Sequence, residues 1–232
     1  MRRRAFRAAL PHTIPIAVGF LFLGMSYGFL MRSKGFSVFY PMLMSFFIFA
    51  GSMEFVTVNL LLTAFDPARA FFLALMVNAR HIFYGISMLS RYKNVGWKKF
   101  YLIYGMCDES FTINCSVTPP QDVDRGWFLF FVTLLNQAYW VSGATLGALL
   151  GYIIRFDTKG IEFVMTALFV VMFLSQWEEN KDHRSALTGL GCSVLCLVIF
   201  GSGQFILPAM ILIILCFTLN RKKESKEKEG GL

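Results

Sequence analysis

Residues Ile14 to Met31 read Ile-Pro-Ile-Ala-Val-Gly-Phe-Leu-Phe-Leu-Gly-Met-Ser-Tyr-Gly-Phe-Leu-Met, and none of them is charged. An uncharged apolar stretch of about 18 residues or more is long enough to cross a bilayer as a helix. A secretory signal has a shorter apolar core and a small-residue cleavage site, so we predict that this segment is a retained membrane span. Its prolines and glycines predict an irregular or broken helix, because both residue types weaken helices.

The whole chain is too apolar for a soluble domain. Of its 232 residues, 56% are hydrophobic and 16% are charged, whereas soluble domains carry about 25% charged residues. Apolar runs predict membrane segments at residues 12–31, 38–64, 68–90, 99–117, 127–154, 161–177, 186–201 and 204–219. We therefore predict an all-α integral membrane protein, a polytopic bundle of about seven to eight transmembrane helices, some of them short or broken.

The basic residues are concentrated at the two ends of the chain, whose formal net charge is +8. Basic segments at 1–11 and 220–232 flank the predicted membrane domain at 12–219, and we expect the second of them to be a disordered tail. Because Lys and Arg favour the cytoplasmic side, both termini are predicted to be cytoplasmic. Eight spans would then put the basic loop 91–99 outside, in conflict with the same rule. A re-entrant or broken helix at 68–90 would remove this conflict but would change the sidedness of the later segments. Charges between apolar segments indicate membrane orientation and not nucleic-acid binding.

Signatures of catalysis are missing from the sequence. It contains no phosphate-binding Walker loop, no Gly-x-Ser-x-Gly elbow, no His-Glu-x-x-His motif and no dinucleotide fingerprint. Its five cysteines and three histidines show no zinc-ligand spacing. We predict a protein that is not an enzyme and that holds no metal or cofactor.

Charged side chains inside the apolar segments are the candidate functional residues, because each costs roughly 2.5–3.5 kcal/mol at the centre of a bilayer. Glu54 has small neighbours that leave room for a ligand, or it is a neutral Glu hydrogen-bonded to another helix. Arg80 keeps its charge and needs an anion, either an internal carboxylate or that of a substrate. His81 is a candidate proton relay, which is a common role of histidine.

Two adjacent acids, Asp108 and Glu109, lie midway along the predicted segment 99–117. Neighbouring residues of a helix point about 100° apart, so both cannot face one partner. We expect one of them to meet Arg80 or solvent. The alternative is that they cap a helix end or a half-helix.

Uncharged polar residues occur in two weakly similar segments, 71–85 and 130–143, where Asn78 and Asn136 hold equivalent positions. Repeats of this kind are common in transporters. Beyond Asn136, small residues recur at a spacing of four, which predicts a close-packing ridge. The ridge comprises Gly143, Gly147 and Gly151.

Several stretches of the chain resemble the AzlC family of branched-chain amino acid exporters, also termed LIV-E. Residues 49–55, Phe-Ala-Gly-Ser-Met-Glu-Phe, resemble its Phe-Ala-Gly-Ala-Ala-Gln-Phe-like segment, with Glu54 where Gln is frequent. Residues 77–85, Val-Asn-Ala-Arg-His-Ile-Phe-Tyr-Gly, are similar to its Val-Asn-Leu-Arg-His-x-x-Tyr-Gly segment. Residues 107–111, Cys-Asp-Glu-Ser-Phe, resemble its Thr-Asp-Glu-x-Phe segment, and residues 160–169 fit a further stretch.

The resemblance implies a large subunit that works with a small membrane partner of the AzlD type. The pair would export valine, leucine, isoleucine and, in some members, methionine across the bacterial cytoplasmic membrane. A zwitterionic amino acid needs one partner for each charge and an apolar pocket. We expect Arg80, or backbone donors at a helix break, to bind the carboxylate. We expect Glu54 or Asp108 to bind the ammonium, with proton coupling through an acid or His81.

The predicted site falls into two groups of residues. The substrate-binding or coupling group comprises Glu54, Asn78, Arg80, His81, Asp108, Glu109 and Asn136. The aromatic pocket wall comprises Phe49, Phe55, Phe83 and Tyr84. The alternatives are a membrane scaffold or assembly subunit without transport, and a transporter of another small zwitterion. A channel is disfavoured, because it would need rings of like charge or a carbonyl filter.

Overall fold

The structure is a computed structural model, and it describes most of the first 153 residues. The described residues are 2–64, 66–78, 80–153, 163, 167, 170, 173–174, 177–178, 183–201, 205, 208–209, 211–213 and 215–218. They are mostly helical and include no strand, which confirms the all-α prediction. The chain divides into two compact units, Met1–Met165 and Thr166–Leu232. Most of the predicted segment 161–177, part of the predicted segment 204–219 and all of the tail 220–232 lie outside the described residues.

The helical segments follow one another with short connections. In chain order they are α1 Arg2–Ser33, α2 Phe39–Phe47, α3 Gly51–Leu62, α4 Pro67–Asn78, α5 Arg80–Met88, α6 Lys98–Tyr104, α7 Asp108–Ser116, α8 Arg125–Ile153 and α9 Arg184–Phe200. Among the described residues, only α1 is both long and apolar enough to cross a membrane. α8 has 29 residues, but polar side chains such as Asn136 and Gln137 lower its hydropathy. The predicted number of transmembrane helices is therefore not confirmed.

α1 is one unbroken helix from Arg2 to Ser33, with Pro11 and Pro15 inside it. The prediction of an irregular or broken first helix is therefore wrong. Each proline removes one backbone hydrogen bond, and packing along α8 offsets that loss. The helix also includes nearly all of the basic segment 1–11.

Glycines let α1 and α8 approach until their backbones touch, which confirms the predicted ridge. A Cβ added at Gly24 would lie 2.9 Å from the backbone nitrogen of Ala144, and one at Gly143 would lie 2.8 Å from the carbonyl oxygen of Leu21. Added Cβ atoms at Gly28 and Gly147 would overlap the facing backbone even more. Small residues at a spacing of four allow this close contact.

α1 and α8 run parallel, so they define two ends of the first unit. At the N-terminal end, the Arg2 guanidinium lies 4.3 Å from the centre of the Trp127 ring. At the opposite end, the Arg32 guanidinium lies 3.5 Å from the centre of the Tyr152 ring. α2, α3, α6 and α7 can be placed by their contacts with one or both of these helices.

The predicted span 38–64 is wrong, because this segment forms a helical hairpin, which we name the first hairpin (residues 39–62). α2 starts just after α1 ends, and its Phe46 carbonyl accepts a hydrogen bond of 2.9 Å from Gln137 in the middle of α8. The chain turns at residues 48–50, where Phe49 has a φ of 44°. α3 then returns toward the opposite end, so that Phe55 packs 5.4 Å from the Tyr27 ring.

α4 and α5 carry the chain from the opposite end to the N-terminal end. The last residue of α5, Met88, and Tyr92 just beyond it belong to a buried core cluster with Ala9 of α1 and Phe128 of α8. The loop that follows, residues 89–97, therefore lies at the same end as the N-terminus.

The predicted span 99–117 is also wrong, because it forms a second hairpin (residues 98–116). α6 starts with Lys98 over the Trp127 ring at 4.6 Å. It runs inward to a turn at residues 105–107, and α7 then runs back beside α5. Along this return, Phe111 stacks on Tyr84 with ring centres 4.3 Å apart. The two hairpins enter the unit from opposite ends, and the basic loop between α5 and α6 lies at the N-terminal end.

Opposite placement of two exposed lysines gives a direct test of the hairpins. We expect Lys34→Cys and Lys93→Cys to react with an impermeant thiol reagent from opposite sides of the membrane, because residue 34 follows α1 and residue 93 lies at the N-terminal end. Labelling in intact and permeabilised cells measures this, with the parent chain as the blank for its five native cysteines. Eight full crossings would instead put both positions on the same side.

Candidate functional site

The tips of the two hairpins, residues 48–50 and 105–107, meet in the middle of the first unit. The Tyr104 hydroxyl donates a hydrogen bond to the Phe46 carbonyl, and a Cβ added at Gly105 would lie 3.9 Å from the Phe49 ring. α3 and α7 both begin at this meeting point. Helix starts present unpaired N–H groups and a partial positive charge, so the centre of the unit is polar although its surroundings are apolar.

Arg80 forms an ion pair with Asp108 beside the two tips. Arg80 Nη2 lies 3.1 Å from Asp108 Oδ2 and donates a hydrogen bond of 3.1 Å to the Ser52 hydroxyl. The expectation that one of the two adjacent acids meets Arg80 is met by Asp108. Both acids lie in the first turn of α7, so they begin a half-helix and do not sit midway along a span. Glu109 is partly buried there.

His81, Asn78 and Tyr84 extend the polar site along α4 and α5. The His81 Nδ1 atom lies 3.1 Å from the Asn78 carbonyl oxygen, and the Asn78 amide donates a hydrogen bond of 3.1 Å to the Ala74 carbonyl. The Tyr84 ring packs 5.5 Å from the His81 ring and stacks on Phe111. These contacts fix His81 and Tyr84 beside the Arg80–Asp108 pair.

A cavity of about 690 Å³ opens between the first tip, α5 and α6. Asn78, His81 and Phe49 line it. The three other predicted wall residues do not line it. Phe55 packs on Tyr27, Phe83 is 42% exposed on the outside of the helix, and Tyr84 stacks on Phe111. The wall is mainly aliphatic and includes Ile48, Ile82, Ile86, Leu89, Ile103 and Met106.

Glu54 lies apart from the cavity and is 0% exposed. Its Oε1 accepts hydrogen bonds from Trp140 Nε1 at 2.9 Å and from the Ala50 backbone N–H at 3.2 Å. No hydrogen-bond partner of Oε2 is found among the described residues. This geometry matches the alternative in which Glu54 joins its own helix to a neighbouring one.

Asn136 anchors the start of α7 to α8 and does not line the cavity. Its amide donates a hydrogen bond of 3.0 Å to the Ser110 hydroxyl, which also accepts one of 3.2 Å from Cys107 Sγ. Sequence reasoning missed Ser52 as a partner of Arg80. The sequence feature that could have identified Ser52 is its position two residues before Glu54, in a run of small residues.

Helical hairpins that meet around buried charges inside an apolar bundle define a class of protein, the α-helical membrane proteins with an internal polar site. The chain belongs to the AzlC family, since residues 15–154 match the family described as AzlC protein. This confirms the resemblance seen in the sequence.

Relatives across the family support the membrane assignment. The chain is 60% identical over 222 residues to the branched-chain amino acid transport protein AzlC of Bacillus subtilis, covering 96% of this chain and 87% of that protein. It is 44% identical over 227 residues to an uncharacterized membrane protein of Haemophilus influenzae, covering 97% and 93%. It is 22% identical over 191 residues to the inner membrane protein YgaZ of Escherichia coli, covering 76% and 75%. No solved structure matches the chain.

Proposed function

We propose that the protein is a subunit of a secondary transporter that exports branched-chain amino acids across the bacterial cytoplasmic membrane. The observation that carries the proposal is the Arg80–Asp108 pair at the meeting point of two hairpin tips, beside an aliphatic cavity. The Bacillus subtilis relative is named as a branched-chain amino acid transport protein, which supports the same substrate class here. The substrates would be valine, leucine and isoleucine, with methionine as a further candidate and a small AzlD-type subunit as partner. A transport subunit of this kind is not an enzyme.

The site offers each part of a zwitterionic amino acid a partner. Arg80 is suited to the carboxylate, because a guanidinium presents several donors to both oxygens. Asp108 is suited to the ammonium, since Glu54 is sealed from the cavity by its packing. The aliphatic wall of the cavity suits a branched side chain. His81 borders both the cavity and the pair, so it is our candidate for carrying a coupling proton.

In the membrane, the two hairpins would be re-entrant and the other elements would cross. Re-entrant backbone is tolerated at this depth where protein or a cavity surrounds it. The first 153 residues then cross three times, and the apolar segments at 161–177, 186–201 and 204–219 would bring the total to six. Both termini and loop 89–97 lie on one side in this arrangement. Their basic residues make that side the cytoplasmic one.

Efflux of labelled amino acids from cells fed the matching dipeptides tests the proposal. We expect faster efflux of valine, leucine and isoleucine when the chain and a small partner are expressed together, and slower efflux after a protonophore collapses the proton gradient. Unchanged efflux with both proteins in the membrane would contradict the substrate class. The remaining functions would then be a scaffold without transport and a transporter of another zwitterion. Full activity without the partner, or with a protonophore, would remove the partner or the proton from the proposal.

A further inference from the structure

The Arg80 guanidinium lies where three elements of the first unit converge. Its Nη2 atom contacts the Asp108 carboxylate and the Ser52 hydroxyl, each at 3.1 Å. Ser52 lies in the first turn of α3 and Asp108 in the first turn of α7. A guanidinium together with helix starts is chemistry that favours an anion. The position of the Asp108 carboxylate therefore also suits the carboxylate of a bound solute.

The ion pair is partly exposed, although neither Arg80 nor Asp108 is among the residues that line the cavity. The Arg80 side chain is 32% exposed and that of Asp108 is 16% exposed, whereas Glu54 is 0% exposed. Asn78 and His81, on either side of Arg80 in the sequence, both line the cavity.

We propose that Asp108 occupies, in the substrate-free protein, the place that the carboxylate of the transported amino acid takes, and that the substrate binds by displacing Asp108 from Arg80. This inference rests on the proposed transport of zwitterions. Arg80 keeps its charge at any physiological pH, and a charge inside an apolar bundle needs a counter-charge. Asp108 provides that counter-charge before a substrate arrives.

The exchange keeps the site electrically balanced only for a zwitterion. An amino acid brings a carboxylate for Arg80 and an ammonium for the displaced Asp108, so that positive and negative groups alternate. A solute with a carboxylate alone displaces Asp108 without giving it a new partner. An amine alone offers nothing that can replace Asp108 on Arg80. Because Asp108 begins α7, its displacement also links substrate binding to the tip of the second hairpin.

Three probes separate these possibilities: leucine, 4-methylpentanoate, which lacks the amino group, and 3-methylbutylamine, which lacks the carboxylate. Binding is measured to the full chain in lipid nanodiscs. We expect the wild type to bind leucine at least about tenfold more tightly than 4-methylpentanoate. We expect Asp108→Asn, which keeps the shape without the charge, to bind 4-methylpentanoate at least about tenfold more tightly than the wild type does. Asp108→Asn should bind 3-methylbutylamine no more tightly than the wild type does.

Two controls assign that gain to Arg80. The gain should be absent from Asp108→Glu, which keeps the competing charge, and from the double variant Arg80→Ala/Asp108→Asn. No gain in a folded Asp108→Asn protein would overturn the proposal. Should that variant not fold, Asp108→Ser gives the same readout, and equal wild-type affinity for leucine and 4-methylpentanoate would overturn it as well. A wild type that binds no branched-chain amino acid, with an Asp108→Asn variant that gains affinity for 4-methylpentanoate, would refute the proposed substrates and still show that Asp108 competes with a carboxylate for Arg80.

Discussion

Replacing Arg80 with alanine is expected to abolish transport of branched-chain amino acids, with a loss of at least about 100-fold in efflux rate. A hydrogen bond to a charged partner contributes about 1.5–3 kcal/mol, and each 1.4 kcal/mol is about a factor of ten. Two such bonds from the guanidinium to a substrate carboxylate therefore account for about two powers of ten or more. The measurement is efflux of labelled leucine per amount of chain in the membrane.

A second variant separates lost transport from lost folding. Arg80→Ala leaves Asp108 without its cation, and breaking such a pair destabilises proteins by up to about 3–5 kcal/mol when it is fully buried. Here the cost is smaller, because the two side chains are 32% and 16% exposed. Arg80→Ala/Asp108→Asn removes the orphaned charge and should restore the amount of folded protein without restoring efflux. Efflux at the wild-type rate in either variant would remove Arg80 from the mechanism.

The contact between Arg80 and an acid could be predicted from the sequence for a simple electrostatic reason. A guanidinium cannot shed its charge, so a second charge of opposite sign had to lie near it in an apolar chain. Asp108 and Glu109 were the candidates in the neighbouring segment, and Asp108 is the partner. Which of the two acids pairs with Arg80 depends on where α7 begins, and the sequence pattern did not predict that position.

The hairpins could not be predicted from hydropathy, because apolar runs of this length have the composition of a crossing helix. Hydropathy does not register a turn at Phe49 or at Gly105, since both are flanked by apolar residues. Charge provided the missing signal. The basic loop 91–99 contradicted the positive-inside rule, and two hairpins in place of two crossings put it at the same end as the basic N-terminus.

The wall of the cavity was only partly predictable. Aromatic residues near Arg80 were expected to form it, but Phe55 packs on Tyr27, Phe83 is 42% exposed and Tyr84 stacks on Phe111. The aliphatic side chains that do line it come from the first tip, α5 and α6. They look like any lipid-facing residue in the sequence, and only the two hairpins bring them together. Glu54 was correctly picked as unusual, yet its partner Trp140 lies 86 positions away.

Gly28→Ala is expected to destabilise the folded chain, because it pushes apart the two longest helices of the first unit. The added Cβ would overlap backbone atoms of Ala144 and Ala148, and backbone cannot rotate away as a side chain can. Overpacking typically costs about 1–3 kcal/mol and occasionally more. We expect the apparent melting temperature of the purified chain to fall by about 5 °C or more, with a smaller monodisperse fraction after extraction from the membrane.

Gly19→Ala is the matched control, because it makes the same substitution nine residues earlier in the same helix. No atom lies within 4 Å of a Cβ added at Gly19, so the new methyl group meets open space. Alanine also forms helices more readily than glycine, by about 1 kcal/mol. This variant should therefore melt at or above the wild-type temperature. Equal stability of the two variants would mean that the glycine contacts between α1 and α8 do not stabilise the unit. The placement of both hairpins, which is defined relative to α8, would then lose its support.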